Sequence, residues 1–250
     1  MIFLSLLKIL FLILIFLSGS VSFSLAVDLR ELIRTVEQQY TGQSSISEVE
    51  MTVVTGHWER HLYMESWSLG RERFLIRILA PIKERGVATL KVENEVWNYL
   101  PKVDRVIRIP PSMMGGAWMG SHITNDDLVK ANHIDQDYDF TLLEETNESW
   151  RIEGIPKPDA PVIWGKIIYQ IFKEQLVPSQ IDYFDEEGIL VRQILFDDVQ
   201  TVSGRTIPLK MTVVPLEKPK EKTVMHYRKL QFDVDLKKDF FSLGNLKGRR

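Results

Sequence analysis

The 250-residue chain contains no cysteine. It therefore folds without disulfides, and it offers no thiol for lipid attachment. It also lacks a dominant charge sign: 31 Lys and Arg are interleaved with 34 Asp and Glu, for a formal net charge of -3. That balance argues against a surface that follows phosphates, so no nucleic-acid partner is expected. Phosphate-cradling glycine loops, dinucleotide fingerprints and EF-hand patterns are missing as well, and no cofactor is expected.

Long apolar runs are confined to the first 26 residues. Lys8 supplies one positive charge, Ile9 to Leu17 is unbroken and apolar, and Ser24-Leu25-Ala26 fits a small-x-small cleavage site. The run falls short of the roughly 20 apolar residues of a spanning helix. Residues 1–26 read as a secretory signal peptide, and residues 27–250 as one exported domain. The expected compartment is the periplasm of a diderm bacterium.

Beyond that segment the pattern is periodic. Asp28 can cap a helix in which Leu29, Leu32, Ile33 and Val36 recur at helical spacing, with Gly42 as its stop. From Ser45 the period changes to two, with Val49, Met51 and Val53 on one face and Glu48, Glu50 and Thr52 on the other. Trp58 to Trp67 continues this alternation. Phe74, Ile76, Ile78 and Ala80 line one face of the next strand, which Pro81 ends. Short β-type runs follow at Gly86 to Val92, Glu95 to Leu100 and Arg105 to Ile109, and a short helix is expected near Asp126 to Lys130. Tyr138 to Leu142 and the return from Trp150 form a hairpin. Five more strands are expected at Gly165 to Lys173, Ser179 to Phe184, Ile189 to Val199, Thr206 to Val214 and Thr223 to Leu236. In the last, Leu230, Phe232, Val234 and Leu236 are expected to face one way. About a dozen strands in a meander is more than an open twisted sheet usually holds, so the sheet should curl into a barrel or partial barrel with a ligand-sized concave face. A two-sheet sandwich accounts for the same count.

Chemistry-bearing residues are few. His57 and His61 would share a metal only on a helix; on a strand they stand roughly 13 Å apart, and no third ligand has a recognisable spacing. Ser121-His122 with Asp126 and Asp127 resembles a hydrolase constellation in composition only. No G-x-S-x-G elbow surrounds Ser121, and a Ser/His hydrolase is kept as a remote alternative. The plainer reading is that Thr124 or Asn125 caps a helix whose first turn carries the two aspartates. The distinctive stretch is Pro110 to Gly120, where Met113, Met114, Trp118 and Met119 sit among prolines and glycines. Adaptable thioethers and a large rigid indole suit a lipid-like ligand or a partner surface. The other reading is that they plug the domain's own core. The glycine pair Gly115-Gly116 favours a ligand-facing loop.

Arg85-Gly86, the W-x-Y-L-P run from Trp97 to Pro101, the basic-apolar Arg105 to Ile109, and the M-G-S-x-x-x-x-x-D-L pattern from Met119 to Leu128 resemble the LolA-like outer-membrane lipoprotein-sorting proteins, in their uncharacterised branch. The resemblance implies a mainly β fold with a few helices: one strongly curved antiparallel sheet, an incomplete β-barrel, covered by helices. It implies non-catalytic carriage of lipoprotein acyl chains or another lipid toward the outer membrane. The candidate lipid contacts are Trp97, Tyr99, Met113, Met114, Trp118 and Met119. An accessory protein that docks on a membrane exporter of the resistance-nodulation-division type is the second reading. Arg60, Arg77 and Arg108 are all strand arginines, and no motif assigns any of them a gating role. The oligomeric state is not encoded in any feature above.

Overall fold

The computed structural model describes residues 27–130 and 133–248. The expected signal peptide lies outside the described residues. Helix α1 spans Leu29–Thr41, and the Asp28 carboxylate accepts from the N–H groups of Arg30 and Glu31 at its start. Gly42, at φ 58°, ends it.

Among the described residues thirteen strands follow: β1 (Ser44–Val54), β2 (Glu59–Leu69), β3 (Arg73–Ala80), β4 (Ala88–Val92), β5 (Glu95–Leu100), β6 (Arg105–Arg108), β7 (Tyr138–Glu145), β8 (Ser149–Pro156), β9 (Lys166–Phe172), β10 (Val177–Phe184), β11 (Leu190–Val202), β12 (Arg205–Pro215) and β13 (Lys222–Phe232). They form a single antiparallel sheet in the order β6-β5-β4-β3-β2-β1-β13-β12-β11-β10-β9-β8-β7. Each strand pairs with its chain neighbour, and β1 pairs with β13, so only the seam between β6 and β7 is open. The sheet is an incomplete barrel, as the resemblance implied, and the sandwich alternative is set aside.

The side chains show how strongly the sheet curls. Helix α2 (Asn125–Lys130) is tied to β4 through Lys91 Nζ and the Val129 carbonyl, and to β11 through Arg192 and Asp127. Those strands are six steps apart, roughly 29 Å along a flat sheet at about 4.8 Å per step. A helix about 9 Å long reaches both only because the sheet folds around it.

Residues 109–130 and 133–137 lie across the open seam. Their hairpin-like middle, closed by the Ala117–Thr124 bridge, enters the concave face, where Trp118 and Ile123 pack among Val49, Met51, Val53, Leu62, Met64, Ile78 and Val213. Helix α3 (Ile134–Asp137) and α1 cover the other arm, with Leu32, Ile33, Val36 and Ile134 against Ile152, Ile167, Tyr169 and Ile181. On the convex face, Phe241 and Leu246, the latter from α4 (Leu243–Leu246), pack on Leu75, Ala88, Leu90 and Tyr99.

One expectation needs correcting. Strand β13 stops at Phe232, because Asp233 turns to φ 55°, so Val234 and Leu236 leave the sheet. Leu236 instead joins the convex-face cluster.

Candidate functional site

Between the concave face and the layer of α1, α3 and the inserted hairpin lie two adjoining cavities of about 290 Å³ each. They share walls from Ser66, Ser68, Ile134, Tyr183, Ile194, Met211, Met225 and Tyr227. One lobe extends past Trp118, Ile123 and Leu128 to Trp164; the other runs beneath Val36 to Tyr169 and Ile181.

The space follows from side-chain size. On β1 and β2, Ser45 faces Ser68 and Ser47 faces Ser66, on the same inward face as Val49, Met51, Leu62 and Met64. The large residues meet the inserted hairpin and fill half of the barrel. The serines leave room beside them for the two lobes, and the Ser45 and Ser68 hydroxyls, 2.7 Å apart, bond each other.

Several paired charged groups lie at or near the cavity. Arg71, from the β2–β3 turn, reaches Asp135 Oδ1 on α3 at 2.5 Å and Glu37 Oε2 on α1 at 3.2 Å. Tyr169 donates to Glu37 at 3.2 Å. Burial pushes the Glu37 carboxyl well above the usual range, against the pull of Arg71. Arg192 makes a two-bond fork to Asp127 at 2.7 and 2.9 Å and lies over the touching rings of Trp164 and Tyr183, 4.4 and 4.2 Å from their centroids. Burial raises the Tyr183 phenol to about 12. Lys91 is enclosed, donating to the Arg71 and Val129 carbonyls, and burial lowers it to about 8.

The six sequence candidates do not gather in one place. Trp118 is 1% exposed, lines the cavity and donates through Nε1 to Thr89 at 3.0 Å. Met119 packs against the same cluster from its edge, with its carbonyl accepting from Arg60. Met114 is half-buried, and Met113 is 60% exposed on the outer part of the bridging segment. Trp97 and Tyr99 lie on the convex face, in the cluster covered by the C-terminal segment. Trp118 is both part of the core and a wall of the cavity. Gly115 and Gly116 do not take positive φ; the turn at the hairpin tip falls to Met119 at φ 50° and Gly120 at φ 65°. Gly116 is needed for close approach, since a Cβ there would lie 3.1 Å from the Met113 carbonyl.

Ser121 and His122 are committed elsewhere. The Ser121 hydroxyl donates to the Trp118 carbonyl at 2.7 Å and accepts from Ile123 N–H. His122 Nδ1 is 2.9 Å from Thr223 Oγ1, and its Nε2 is 3.2 Å from Glu221 Oε2. Ser121 closes the hairpin on itself, and His122 fixes it to the start of β13 and the turn before it. His61 pairs with Thr52 and Glu59, and among the described residues no cluster of three or more His, Cys, Asp or Glu suits a metal ion.

The serine floor and the Glu37, Arg71 and Arg192 groups were missed by sequence reasoning. The serines had a signal: carrying the β1 alternation back from Val49 places Ser47 and Ser45 on the inward face, where small hydroxyls mean space. The ion pairs had none, since they join residues 34 to 65 positions apart.

A family model described as an uncharacterized protein matches residues 70–248. No curated protein matches the chain. Among solved structures, a DUF1329 family protein from Desulfovibrio piger is similar with a TM-score of 0.79 and 24% identity, over 87% of this chain and 97% of that one. A domain described as an outer membrane lipoprotein-sorting protein, from Vibrio parahaemolyticus, gives 0.76 and 22% over 87% and 97%. A LolA superfamily protein from Nitrosomonas europaea gives 0.73 and 20% over 88% and 100%. At these identities the structural likeness speaks for the fold. The chain belongs to the family of uncharacterized proteins matched over residues 70–248, and its fold is LolA-like.

Proposed function

We propose that the protein is a periplasmic carrier that takes acyl chains, of a lipoprotein or of another lipid, into the cavity of its concave face. The observation that carries this reading is the pair of adjoining lobes walled by Met211, Met225, Tyr227, Ile194 and Trp118, left open by the serine floor. Burial stabilises an acyl chain by about 0.8 kcal/mol per CH₂, so reversible binding needs no covalent step. The methionines adapt to a flexible chain. The LolA superfamily and lipoprotein-sorting descriptions of the structural neighbours support the same reading.

Docking on a membrane exporter through the Pro110 to Gly120 loop has less to rest on. With Trp118 turned inward, Met113 is the large side chain that this loop exposes. Native mass spectrometry of protein taken from its own periplasm tests carriage: a co-purifying lipid, or uptake of an acylated peptide after delipidation, is expected. Absence of both would sink the proposal.

A further inference from the structure

The two ends of the barrel differ. At one end lie the β1–β2, β3–β4, β5–β6, β8–β9, β10–β11 and β12–β13 connections; the remaining turns lie at the other. Turn tips are normally polar. At the first end, however, Ile82 is 81% exposed, Val103 59% and Trp58 45%, in the β3–β4 and β5–β6 turns and the β1–β2 turn. Among the described residues, the turns 70–72, 93–94, 146–148, 173–176 and 203–204 of the opposite end expose no large apolar side chain.

The turns that carry Trp58, Ile82 and Val103, with the β12–β13 turn, form one continuous sector. Pro101 sits against Gly86, Arg60 reaches Glu84 at 3.5 Å, and Gly56 N–H donates to Glu221 at 3.1 Å. These links engage the acids Glu84 and Glu221. Lys83, Arg85, Lys102, Lys218, Lys220 and Lys222 are exposed around the same apolar tips and outnumber the exposed acids Glu59, Asp104 and Glu217 there. The sector ends before the β10–β11 turn, where Asp185, Glu186 and Glu187 reverse the sign.

We infer that this rim docks on a lipid bilayer bearing anionic headgroups, with Trp58, Ile82 and Val103 entering the interface and the cations against the headgroups. Apolar tips ringed by lysines match the interfacial zone, where shallow apolar insertion adds to attraction by anionic lipid. It is the grouping of exposed apolar tips within one polar rim, rather than any one side chain, that marks an interaction surface. The opposite end, with polar tips, then faces away from the membrane. The inference is independent of the cargo, because vesicle contact and lipid uptake are separate readouts.

The absence of native cysteine allows one label per molecule. Ile82→Cys, Val103→Cys and, at the opposite end, Asn147→Cys would each carry an environment-sensitive fluorophore. With vesicles of phosphatidylethanolamine and phosphatidylglycerol, the labels at 82 and 103 are expected to shift to the blue and become shielded from an aqueous quencher, while the label at 147 does not change. Because the readout is positional, attachment through another part of the chain cannot imitate it. Combining Lys218→Glu, Lys220→Glu and Lys222→Glu should weaken the effect by about tenfold or more. The inference is overturned by unshifted labels at 82 and 103, by an equal shift at 147, or by equal binding to uncharged phosphatidylcholine that ignores the lysine changes. A shift seen only when a membrane protein is reconstituted in the vesicles also overturns it, in favour of a protein partner.

Discussion

Ser45 and Ser68 face each other across β1 and β2 with their hydroxyl oxygens 2.7 Å apart, at the point where the concave face stops being filled. Two steps along the same strands, large side chains take over, with Val49 opposite Met64. That change in size, within an unbroken alternation, makes the cavity.

Filling the floor should therefore separate fold from binding. Ser68→Leu adds apolar volume where there is room, so stability in urea is expected to change by less than about 1.5 kcal/mol. Displacing two CH₂ groups of a bound chain costs about 1.6 kcal/mol, or about tenfold or more in affinity for an acylated peptide. Unchanged uptake by a well-folded Ser68→Leu protein would show that the chain lies elsewhere.

Trp118 is both a core residue and a cavity wall. Trp118→Ala should cost about 3–5 kcal/mol, because the surroundings cannot close over the lost indole. Trp118→Phe keeps most of the volume and gives up the bond to Thr89, for about 1 kcal/mol. Chemical denaturation distinguishes the two; similar losses would mean that the hydrogen bond, not the packing, dominates.

The Arg192–Asp127 fork is expected to hold α2 over the cavity. Asp127→Asn leaves a guanidinium at 6% exposure with no countercharge, at a cost of about 3–5 kcal/mol. Amide hydrogen exchange should quicken first around 125–130. Uniform quickening across the chain would mean that the pair supports the whole fold instead.

Lys91 gives a pH signature. Its folded pKa is lowered to about 8 from an ordinary value of 10.5, so its contribution to stability is present above 10.5 and lost as pH falls through about 8. The stability of the wild type relative to Lys91→Met should therefore rise by about 3 kcal/mol between those values. A flat difference across that window would show that Lys91 ionises in the folded state as it does in water.

Much of the secondary structure was legible before any coordinates. The helix from Asp28 to Gly42 has its cap, its apolar stripe and its stop within fifteen residues. The strands from Ser45 to Val214 follow a period of two between turn signals. Where the reading failed, a local break outweighed the pattern: Asp233 turns to positive φ, and the alternation Phe232, Val234, Leu236 runs on without a strand. The site was less legible. Trp97 and Tyr99 look like cavity residues because they are aromatic and close in sequence to Trp118, yet they alternate onto the convex face beneath Phe241.

Sequence alone determined most of the elements and their order as a meander, because periodicity and turn chemistry act over a few residues; the pairing of β1 with β13 decided for one curled sheet over a sandwich. Only the tertiary structure decided that the hairpin around Trp118 enters the barrel, that the serines border empty space, and that Arg71 and Arg192 are paired. Those outcomes depend on which side chains meet across the curled sheet. Curvature brings β4 and β11 to the same short helix, and no local pattern encodes that meeting.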